Sequence, residues 1–363
     1  HPLLAKVHSG IRALTPYKPG KPVDEVKREY DLKQVVKLAS NENPLGPSPK
    51  IQSAVAELVS EFGRYPDGAG HDLKQALAAK HGVSAASITL GNGTNELLNM
   101  VSRLFLAPGS ATVFSEQAFI VYKLAAVMTG AKMIEVPAKD FAHDLDAIAA
   151  AITPETRVVF LANPNNPTGT YFGKAEFAEF MTKVPSDVAV VLDEAYFDYV
   201  DHADALDGSK EVASYDNLIV TRTFSKVYGL GALRIGYALS SEALADLLNR
   251  GREPFNTNAV AQLSATIALG DSNHTAMSVE LNAEGMVFLS AELEKLGLDV
   301  IPSYANFLTI DVADGPKVAQ ALLERGVIVR PVAEYGMPKH IRVTIGTAQE
   351  NQVFIDALKQ VLA

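Results

Sequence analysis

The sequence contains no cysteine among its 363 residues, and this absence limits the chemistry that the protein can use. It excludes disulfide bonds, thiolate nucleophiles, and zinc or iron–sulfur sites built from cysteine. No stretch reaches the roughly 18 uncharged apolar residues that a membrane span needs, and residues 1–10 lack the apolar core of a signal peptide. We therefore expect a cytoplasmic protein that does not enter a membrane.

The sequence also has little positive charge and no low-complexity segment. Its formal net charge is −10 at pH 7, so no chain-wide basic field is available to attract nucleic-acid phosphates. Hydrophobic residues make up 48% and charged residues 20% of the chain, which excludes disordered, collagen-like and coiled-coil classes. The length is more than twice the usual domain size, so we expect two lobes and a sizeable core.

Apolar runs alternate with amphipathic helical stretches between about Ser48 and Val260, a pattern typical of βαβ units and a mostly parallel, buried sheet. The predicted strands of this sheet are residues 87–90, 111–114, 133–136, 158–161, 188–192, 218–221 and 235–238. A smaller α+β region is predicted from a helical stretch at 259–296, strands at 307–310, 327–330 and 341–344, and a helix near 317–325. The fold class is therefore α/β, with a seven-stranded sheet in the larger part.

Prolines near the start of the chain break its regular structure. Pro16, Pro19 and Pro22 prevent a continuous helix over the first forty residues, and we expect this stretch to wrap over one lobe. The predicted organisation is an N-terminal segment at 1–40 associated with the small domain, a large ligand-binding domain at 41–255 and a small C-terminal domain at 256–363.

A lysine and an arginine eight residues apart, Lys226 and Arg234, bracket a glycine-rich turn. Two hydroxyl side chains, Thr223 and Ser225, come shortly before the lysine. With Arg234 they can supply donors to one phosphate group and leave the lysine amine free. Two surface cations beside a loop would be the simpler interpretation, but the hydroxyls favour a loop built around a phosphorylated ligand.

The predicted strand at 188–192 ends in Asp193-Glu194. This places a carboxylate at the carboxyl edge of the sheet, where α/β proteins bind ligands. An apolar strand followed by Asp-Glu also resembles the magnesium-holding strand of P-loop nucleotidases, but the chain has no G-x-x-x-x-G-K-[ST] motif. Asp193 is therefore a candidate functional carboxylate, with a structural aspartate at a strand end as the alternative.

Two further loops are predicted at the same edge. The stretch 90–98 combines a strand, a tight glycine turn and a helix start, with Thr94 as the expected cap and free amides that suit an anion. It is not a dinucleotide fingerprint, because Glu96 occupies the position of the third glycine. The turn at 163–169 contains two prolines and three asparagines, and we expect it to be rigid and to direct an amide into the site.

Taken in order, these motifs resemble the fold-type I pyridoxal-phosphate aminotransferases. The matching features are the glycine-rich turn, Asn-Pro-Thr-Gly at 166–169, Asp-x-x-Tyr at 193–196, and Ser225-Lys226 followed by Arg234. Within that superfamily the chain resembles the histidinol-phosphate aminotransferase family along nearly its whole length. The segments that carry this closer resemblance are 40–47, 64–67, 221–231, 252–258 and 341–347.

The resemblance implies a role for each matching residue. Lys226 would bind pyridoxal 5′-phosphate covalently and then shuttle the substrate proton, while Asp193 would pair with the pyridine nitrogen. Tyr196 would be a third catalytic residue, because it contacts the cofactor's 3′-oxygen. The remaining implied cofactor contacts are Gly93, Thr94, Asn95, Phe119, Asn166, Thr223, Ser225, Arg234 and, from the neighbouring subunit, Tyr65. The implied substrate-binding residues are Tyr17, Asn43, Arg330 and Arg342.

The same resemblance implies an activity and an assembly. The chain would interconvert histidinol phosphate and 2-oxoglutarate with imidazole acetol phosphate and L-glutamate, in histidine biosynthesis, as a homodimer with shared active sites. An aromatic aminotransferase acting on phenylalanine or tyrosine is the alternative within the same chemistry. A pyridoxal-phosphate decarboxylase or acyltransferase would share Lys226 and Asp193, but it would explain Arg342 less readily. The histidines show no metal-ligand spacing, so we expect no metal site.

Overall fold

The structure, a computed structural model, describes residues 2–7, 9–14 and 20–363. Its strands, in chain order, are β1 (Val36–Lys37), β2 (Ile88–Gly91), β3 (Ala111–Ser115), β4 (Lys132–Val136), β5 (Thr156–Ala162), β6 (Ala189–Asp193), β7 (Leu218–Thr223), β8 (Gly236–Ser240), β9 (Val300–Ile301), β10 (Phe307–Asp311), β11 (Val327–Ile328), β12 (Arg330–Pro331) and β13 (His340–Thr344).

The α-helices of the described residues are α1 (Ser9–Ala13), α2 (Val23–Tyr30), α3 (Lys50–Leu58), α4 (His71–His81), α5 (Thr94–Phe105), α6 (Ile120–Thr129), α7 (Leu145–Ala150), α8 (Lys174–Lys183), α9 (Gly208–Glu211), α10 (Glu242–Gly251), α11 (Ala259–Leu269), α12 (Ser272–Lys295), α13 (Gly315–Leu323) and α14 (Ala348–Leu362). None of these described helices has both the length and the apolar character that crossing a membrane would require.

The seven predicted strands of the larger part form one sheet in the order β2-β8-β7-β6-β5-β3-β4. Neighbouring strands from β7 to β4 run parallel, whereas β8 is antiparallel to both β2 and β7. The predicted mostly parallel sheet is thus confirmed. The loop between β7 and β8 carries both Lys226 and Arg234, and it leaves the sheet at the carboxyl end of β7.

The central strands are buried on both faces. In β5, Val158 and Phe160 pack into one hydrophobic core, while Val159 and Leu161 pack into the core on the opposite face. Successive side chains of a strand point to opposite faces, so a strand covered on both sides needs a continuous apolar run. Polar side chains can therefore gather only where these strands end, and that edge contains the candidate site.

A smaller antiparallel sheet has the order β12-β13-β10-β9, and its core includes Ile310, Ile341 and Phe354. Strand β1 pairs in parallel with β11, which joins the chain before residue 40 to this smaller unit. Helix α11 places Ala265 in the core of the large sheet. The domain boundaries at residues 40 and 255 remain predictions.

Two predicted elements of the smaller unit are divided in the structure. The helical stretch at 259–296 is two helices, because α11 ends at Leu269 and α12 begins at Ser272, after its N-cap residue Asp271. The predicted strand at 327–330 is two short strands, since β11 pairs with β1 and β12 pairs with β13. Pro331 has no N–H to donate, so β12 cannot continue as a regular ladder strand.

Candidate active site

A cavity of about 470 Å³ lies at the carboxyl ends of the central strands, the edge at which open α/β sheets bind ligands. Most of the predicted site residues line it. They are Thr94, Asn95, Phe119, Asn166, Asp193, Tyr196, Thr223, Ser225, Lys226, Arg234, Arg330 and Arg342. The structure therefore brings together residues from both the large and the small sheet around one space.

Asp193 lies at the end of β6 and is buried. Its carboxylate accepts hydrogen bonds from Tyr122 Oη at 2.9 Å and from Thr221 Oγ1, on the neighbouring strand, at 3.1 Å. Burial raises the pKa of Asp193 to about 6, while the two hydroxyls and the Lys226 amine oppose that rise. At neutral pH the site therefore holds a fixed, ionised carboxylate that is poised to pair with a cation.

Tyr122 is a functional candidate that the sequence motifs did not reveal. It lies one turn after Phe119 on α6 and is completely buried, with its ring stacked on Phe160 at a centroid distance of 4.7 Å. Phe119 packs edge-on against it at 5.9 Å. The sequence signal is the spacing of three residues between two aromatics on one helix face, but only the fold shows that the hydroxyl reaches Asp193.

Lys226 extends into the cavity from the loop that follows β7. Its Nζ atom donates to the backbone oxygen of Ser40 at 3.2 Å and lies 5.4 Å from the centre of the Tyr196 ring. Burial and the positive charges of Arg342 and Arg234 together lower the pKa of Lys226 to about 7. Desolvation by burial is the larger cause, and the neighbouring cations add to it.

The start of helix α5 closes one end of the cavity. Gly93 precedes the helix with φ of 76°, and Thr94 is the first helical residue, so the prediction that Thr94 caps the helix is wrong. Positive φ favours glycine, and a Cβ atom at this position would lie 2.5 Å from Arg234 Nη2. The free amides of this 12-residue helix and the guanidinium together form an end suited to an anion.

Arg234 is held at this anion end by its own loop. Its Nη1 atom donates to Ser225 Oγ at 3.2 Å and to the Gly231 carbonyl at 3.1 Å. Its backbone adopts the left-handed conformation, with φ of 54°, which costs a non-glycine residue about 1–3 kcal/mol. Thr223 accepts a hydrogen bond from the Ser225 amide at 3.0 Å. The strained backbone of this loop thus accompanies an arrangement in which the Arg234 cation and the hydroxyls of Thr223 and Ser225 line the same cavity.

Arg342, on strand β13, is the cation at the opposite end of the cavity. It is buried, and it donates to Asn166 Oδ1 at 2.5 Å and to the Ala39 carbonyl at 2.8 Å. Within the part of the chain that the structure describes, its buried Nε atom has no hydrogen-bond partner. A buried, unpaired donor on a guanidinium is suited to a carboxylate or phosphate oxygen.

The asparagine side chains of the turn at 163–169 have two different roles, because two of them stabilise the turn and one faces the cavity. Asn163 bonds to Phe172 through both its amide nitrogen and its oxygen, at 2.9 and 3.0 Å. Asn165 donates to Thr168 Oγ1 at 2.8 Å. These two asparagines hold the turn, so Asn166 is left as the side chain that faces the cavity.

Asn41 lines the cavity, whereas Asn43, the predicted substrate-binding residue, does not. Asn41 donates to Tyr196 Oη at 2.9 Å, and its backbone amide donates to Thr344 Oγ1 at 2.9 Å. Asn43 instead donates to the Val227 carbonyl at 2.8 Å and to Ser278 Oγ at 2.9 Å. The structure therefore does not bring the Asn43 amide to the cavity, because that amide holds the Lys226 loop from behind.

The last three predicted residues lie at the margins of the site or beyond it. Tyr65 is 82% exposed, stacks on Phe255 at a centroid distance of 4.8 Å, and does not line the cavity of its own chain. Arg330 lines the cavity and pairs with Glu334 at 2.5 Å. Tyr17 lies outside the described residues.

This arrangement can perform a specific kind of chemistry. Lys226 provides an amine of which a substantial fraction is uncharged near neutral pH, so it can act as a nucleophile and as a proton carrier. Asp193, which lines the same cavity, can stabilise a positive charge on a bound molecule. The helix start with Arg234 and the separate cation Arg342 provide two anion sites, which suits a phosphorylated cofactor beside an anionic substrate.

Comparison with known proteins agrees with this geometry. The family of class I and II aminotransferases matches residues 33–358. The histidinol-phosphate aminotransferase 2 of Pseudomonas fluorescens is 53% identical, over 99% of this chain and 98% of its own. The same-named enzyme of Pseudomonas aeruginosa is also 53% identical with the same coverage.

A solved structure extends the similarity to the fold. The histidinol-phosphate aminotransferase of Sinorhizobium meliloti, crystallised in complex with pyridoxal 5′-phosphate, superimposes with a TM-score of 0.89. It is 29% identical, and the match covers 99% of this chain and 98% of that one. The fold-type I architecture predicted from the motifs is thus confirmed. The chain belongs to the class I and II aminotransferases.

Proposed function

We propose that this chain transfers the amino group of L-glutamate to imidazole acetol phosphate, which yields histidinol phosphate and 2-oxoglutarate. The observation that carries the proposal is the meeting of Lys226, Asp193 and Arg342 in one cavity. The choice of substrate is supported by the names of relatives that are 53% identical over nearly the whole chain. The reaction is an aminotransferase reaction that depends on pyridoxal 5′-phosphate.

The residues of the cavity fit this cofactor. The phosphate would be held by the start of α5, by Thr223 and Ser225 and by Arg234, where Gly93 leaves room that a Cβ atom would fill. Phe119 would contact the face of the cofactor ring. Tyr196 and Asn166 would bind the cofactor's 3′-oxygen. When bound, the cofactor supplies an electron-withdrawing ring that stabilises negative charge at the substrate's α-carbon.

The protein's own residues would then bind, orient and transfer protons. Lys226 Nζ would take up the proton that leaves the substrate's α-carbon and deliver it to the cofactor's C4′ carbon in the same half-reaction, and it would carry out the reverse transfer in the opposite half. Asp193 would keep a positive charge on the ring nitrogen through its fixed carboxylate. Arg342 would pair with the substrate's anionic group through its free Nε atom, which is already desolvated by the surrounding protein.

The lowered pKa of Lys226 leads to a pH prediction. Because its pKa is about 7 rather than the ordinary lysine value of 10.5, the amine is already uncharged above about pH 7. The rate at which the cofactor-free protein takes up pyridoxal phosphate should therefore rise about tenfold per pH unit below that pH and level off above it. Stopped-flow absorbance measures this rate. A free lysine derivative, as the control, should keep accelerating toward pH 10, and a protein that did the same would contradict the lowered pKa.

Replacing Arg342 with alanine should raise KM by about a hundredfold for both glutamate and histidinol phosphate, because each loses a charge-assisted pair of about 3 kcal/mol. Arg330→Ala is the matched control, since we assign Arg330, together with Tyr17, to the distal phosphate of only one substrate. That variant should raise KM for histidinol phosphate and leave KM for glutamate nearly unchanged. Steady-state kinetics with each substrate would reject a shared anion site if Arg342→Ala affected one substrate alone.

A comparison of substrates tests the proposed function itself. We expect kcat/KM for histidinol phosphate to exceed that for phenylalanine and tyrosine by at least about a hundredfold, because an amino acid side chain without phosphate makes no charge-assisted contact with Arg330. A preference for the aromatic amino acids would establish the alternative activity. Release of CO₂ in place of formation of a keto product would instead indicate a decarboxylase.

The assembly and the location of the protein belong to the same proposal. We assign the exposed Tyr65 to the phosphate site of a second copy, which makes the enzyme a homodimer with shared active sites. The stacked and exposed pair of Tyr65 and Phe255 supports this assignment, since such rings are enriched at protein interfaces. The cytoplasmic location and the three-part division of the chain stay predictions.

A further inference from the structure

A second cluster of charged residues lies directly behind Asp193. Asp193 and Thr221 are paired on neighbouring strands, and the Thr221 hydroxyl donates to the Asp193 carboxylate, which lines the cavity. Glu194 and Arg222 come one residue later on each chain segment, so their side chains point to the opposite face. Both are buried, at 1% and 6% exposure, although neither lines the cavity.

The two residues form a close and well-satisfied ion pair. Arg222 donates to Glu194 Oε2 from both Nε, at 2.8 Å, and Nη2, at 2.6 Å. The other carboxylate oxygen accepts the backbone N–H of Gly208 at 2.8 Å. Arg222 also donates to Asp207 at 2.6 Å, and its guanidinium lies 3.8 Å from the centre of the Phe197 ring. The pair thus ties the ends of β6 and β7 to the start of α9.

Burial makes this pair an inefficient source of stability. Desolvation raises the pKa of Glu194 to about 7 in spite of the opposing charge of Arg222. Two charges removed from water recover little net free energy, and well-packed apolar residues often serve a core equally well. The surrounding residues, including Phe224 and Tyr237, already form such a core. The position of the pair, next to the cavity residues of both strands, points to a geometric role.

We propose that Glu194 and Arg222 are positioning residues, whose ion pair fixes the ends of β6 and β7 so that Asp193, in the cavity, and Thr221, which bonds to it, keep their alignment. This inference rests on the proposed function, because Asp193 is assigned there to the cofactor. The backbone bond from the Glu194 amide to the Thr221 carbonyl, at 2.9 Å, joins the same two strands, and the side-chain pair holds the segment immediately beyond it.

Two variants and a matched control test the proposal. Glu194→Gln keeps the shape of the side chain and an acceptor for Gly208 but removes the charge. It should weaken binding of pyridoxal phosphate to the cofactor-free protein about tenfold, as followed by fluorescence titration, because a small displacement of a positioned group is costly. Glu211→Gln breaks another buried carboxylate's pair, with Lys174 at 2.9 Å, and should leave cofactor affinity unchanged.

Single-turnover kinetics with glutamate separate positioning from folding. Per bound cofactor, Glu194→Gln should lower the half-reaction rate about tenfold while the apparent affinity for glutamate stays within about twofold of wild type, since Arg342 is untouched. The double variant E194M/R222M replaces both charges by apolar groups of similar length. Its melting temperature should exceed that of R222M, which leaves Glu194 unpaired, but its cofactor affinity should remain low.

Other results would overturn the inference. Wild-type cofactor affinity and half-reaction rate in folded Glu194→Gln would show that the pair is merely structural, and so would recovery of both properties in the double variant. If Glu211→Gln weakened the cofactor as much, the effect would be a general loss of stability. Failure of the proposed function is recognised separately, because it would appear in the wild-type protein as a lack of cofactor binding or as a different substrate preference.

Discussion

Lys226→Ala is expected to lower kcat by about 10⁴-fold or more, because the variant loses both the nucleophile that holds the cofactor and the group that moves the substrate proton. The structure supports this expectation with three observations. The Lys226 amine is desolvated, it faces two arginines, and it has a pKa of about 7. The measurement is turnover together with the visible absorbance of the purified protein, which should lose the band of the covalently held cofactor.

Lys226→Arg is the informative control for this variant. Arginine has the charge of a protonated lysine and much of the length of its side chain. Unlike Lys226, it stays protonated at any accessible pH. We therefore expect Lys226→Arg to be as inactive as Lys226→Ala. Substantial activity in the arginine variant would mean that only a cation is needed at this position, and it would contradict the assignment of Lys226 as nucleophile and proton carrier.

The second large effect is expected at Asp193. Asp193→Asn should lower the rate of substrate proton removal by about 10²–10³-fold, because an amide keeps the shape of the carboxylate but loses the charge that stabilises the ring nitrogen as a cation. Cofactor should still bind, since the proposed phosphate-binding residues Thr223, Ser225 and Arg234 are unchanged. Single-turnover absorbance with an α-deuterated amino donor isolates the proton-removal step.

Tyr122→Phe separates the charge of Asp193 from its orientation. This variant removes the 2.9 Å hydrogen bond to the carboxylate but leaves the carboxylate charge in place, and the Thr221 bond still holds one oxygen. Its rate should therefore lie between that of the wild type and that of Asp193→Asn. An undiminished rate in Asp193→Asn would contradict the electrostatic role, whatever the result for Tyr122.

The strands of the large sheet could be predicted from sequence because burial on both faces demands apolar runs, and such runs are visible without a structure. The same reasoning located Asp193 and the loop of Lys226, since each follows directly after a predicted strand. A residue whose position depends on a strand end is therefore accessible to sequence reasoning in an α/β protein.

Contacts between distant segments could not be predicted in this way. Tyr122 is 71 residues away from Asp193, and Asn41 is 155 residues away from Tyr196. In a sequence, each looks like an ordinary core aromatic or loop amide, and only the fold shows where its polar atom points. The prediction of Asn43 in place of Asn41 shows the same limit. The two side chains are only two residues apart, but the Asn41 amide donates to Tyr196 and the Asn43 amide donates to the Val227 carbonyl.

Local backbone conformation limited the prediction in a different way. Thr94 has the residue type that usually caps a helix, but the positive φ needed at this turn can be met without strain by Gly93, so the glycine takes the position before the helix. Glu96, in the first turn, instead accepts the amide of Asn92, which precedes the helix, at 2.5 Å. Neither the backbone angle nor this substitute contact could be deduced from residue type alone.

The most direct test of the account is to trap the cofactor on the protein. Purified enzyme loaded with pyridoxal phosphate would be reduced with borohydride, digested, and analysed by peptide mass spectrometry. We predict a single reduced adduct on the peptide that contains Lys226. An unmodified Lys226 peptide, or an adduct on a different lysine, would contradict the assignment on which the proposed active site depends.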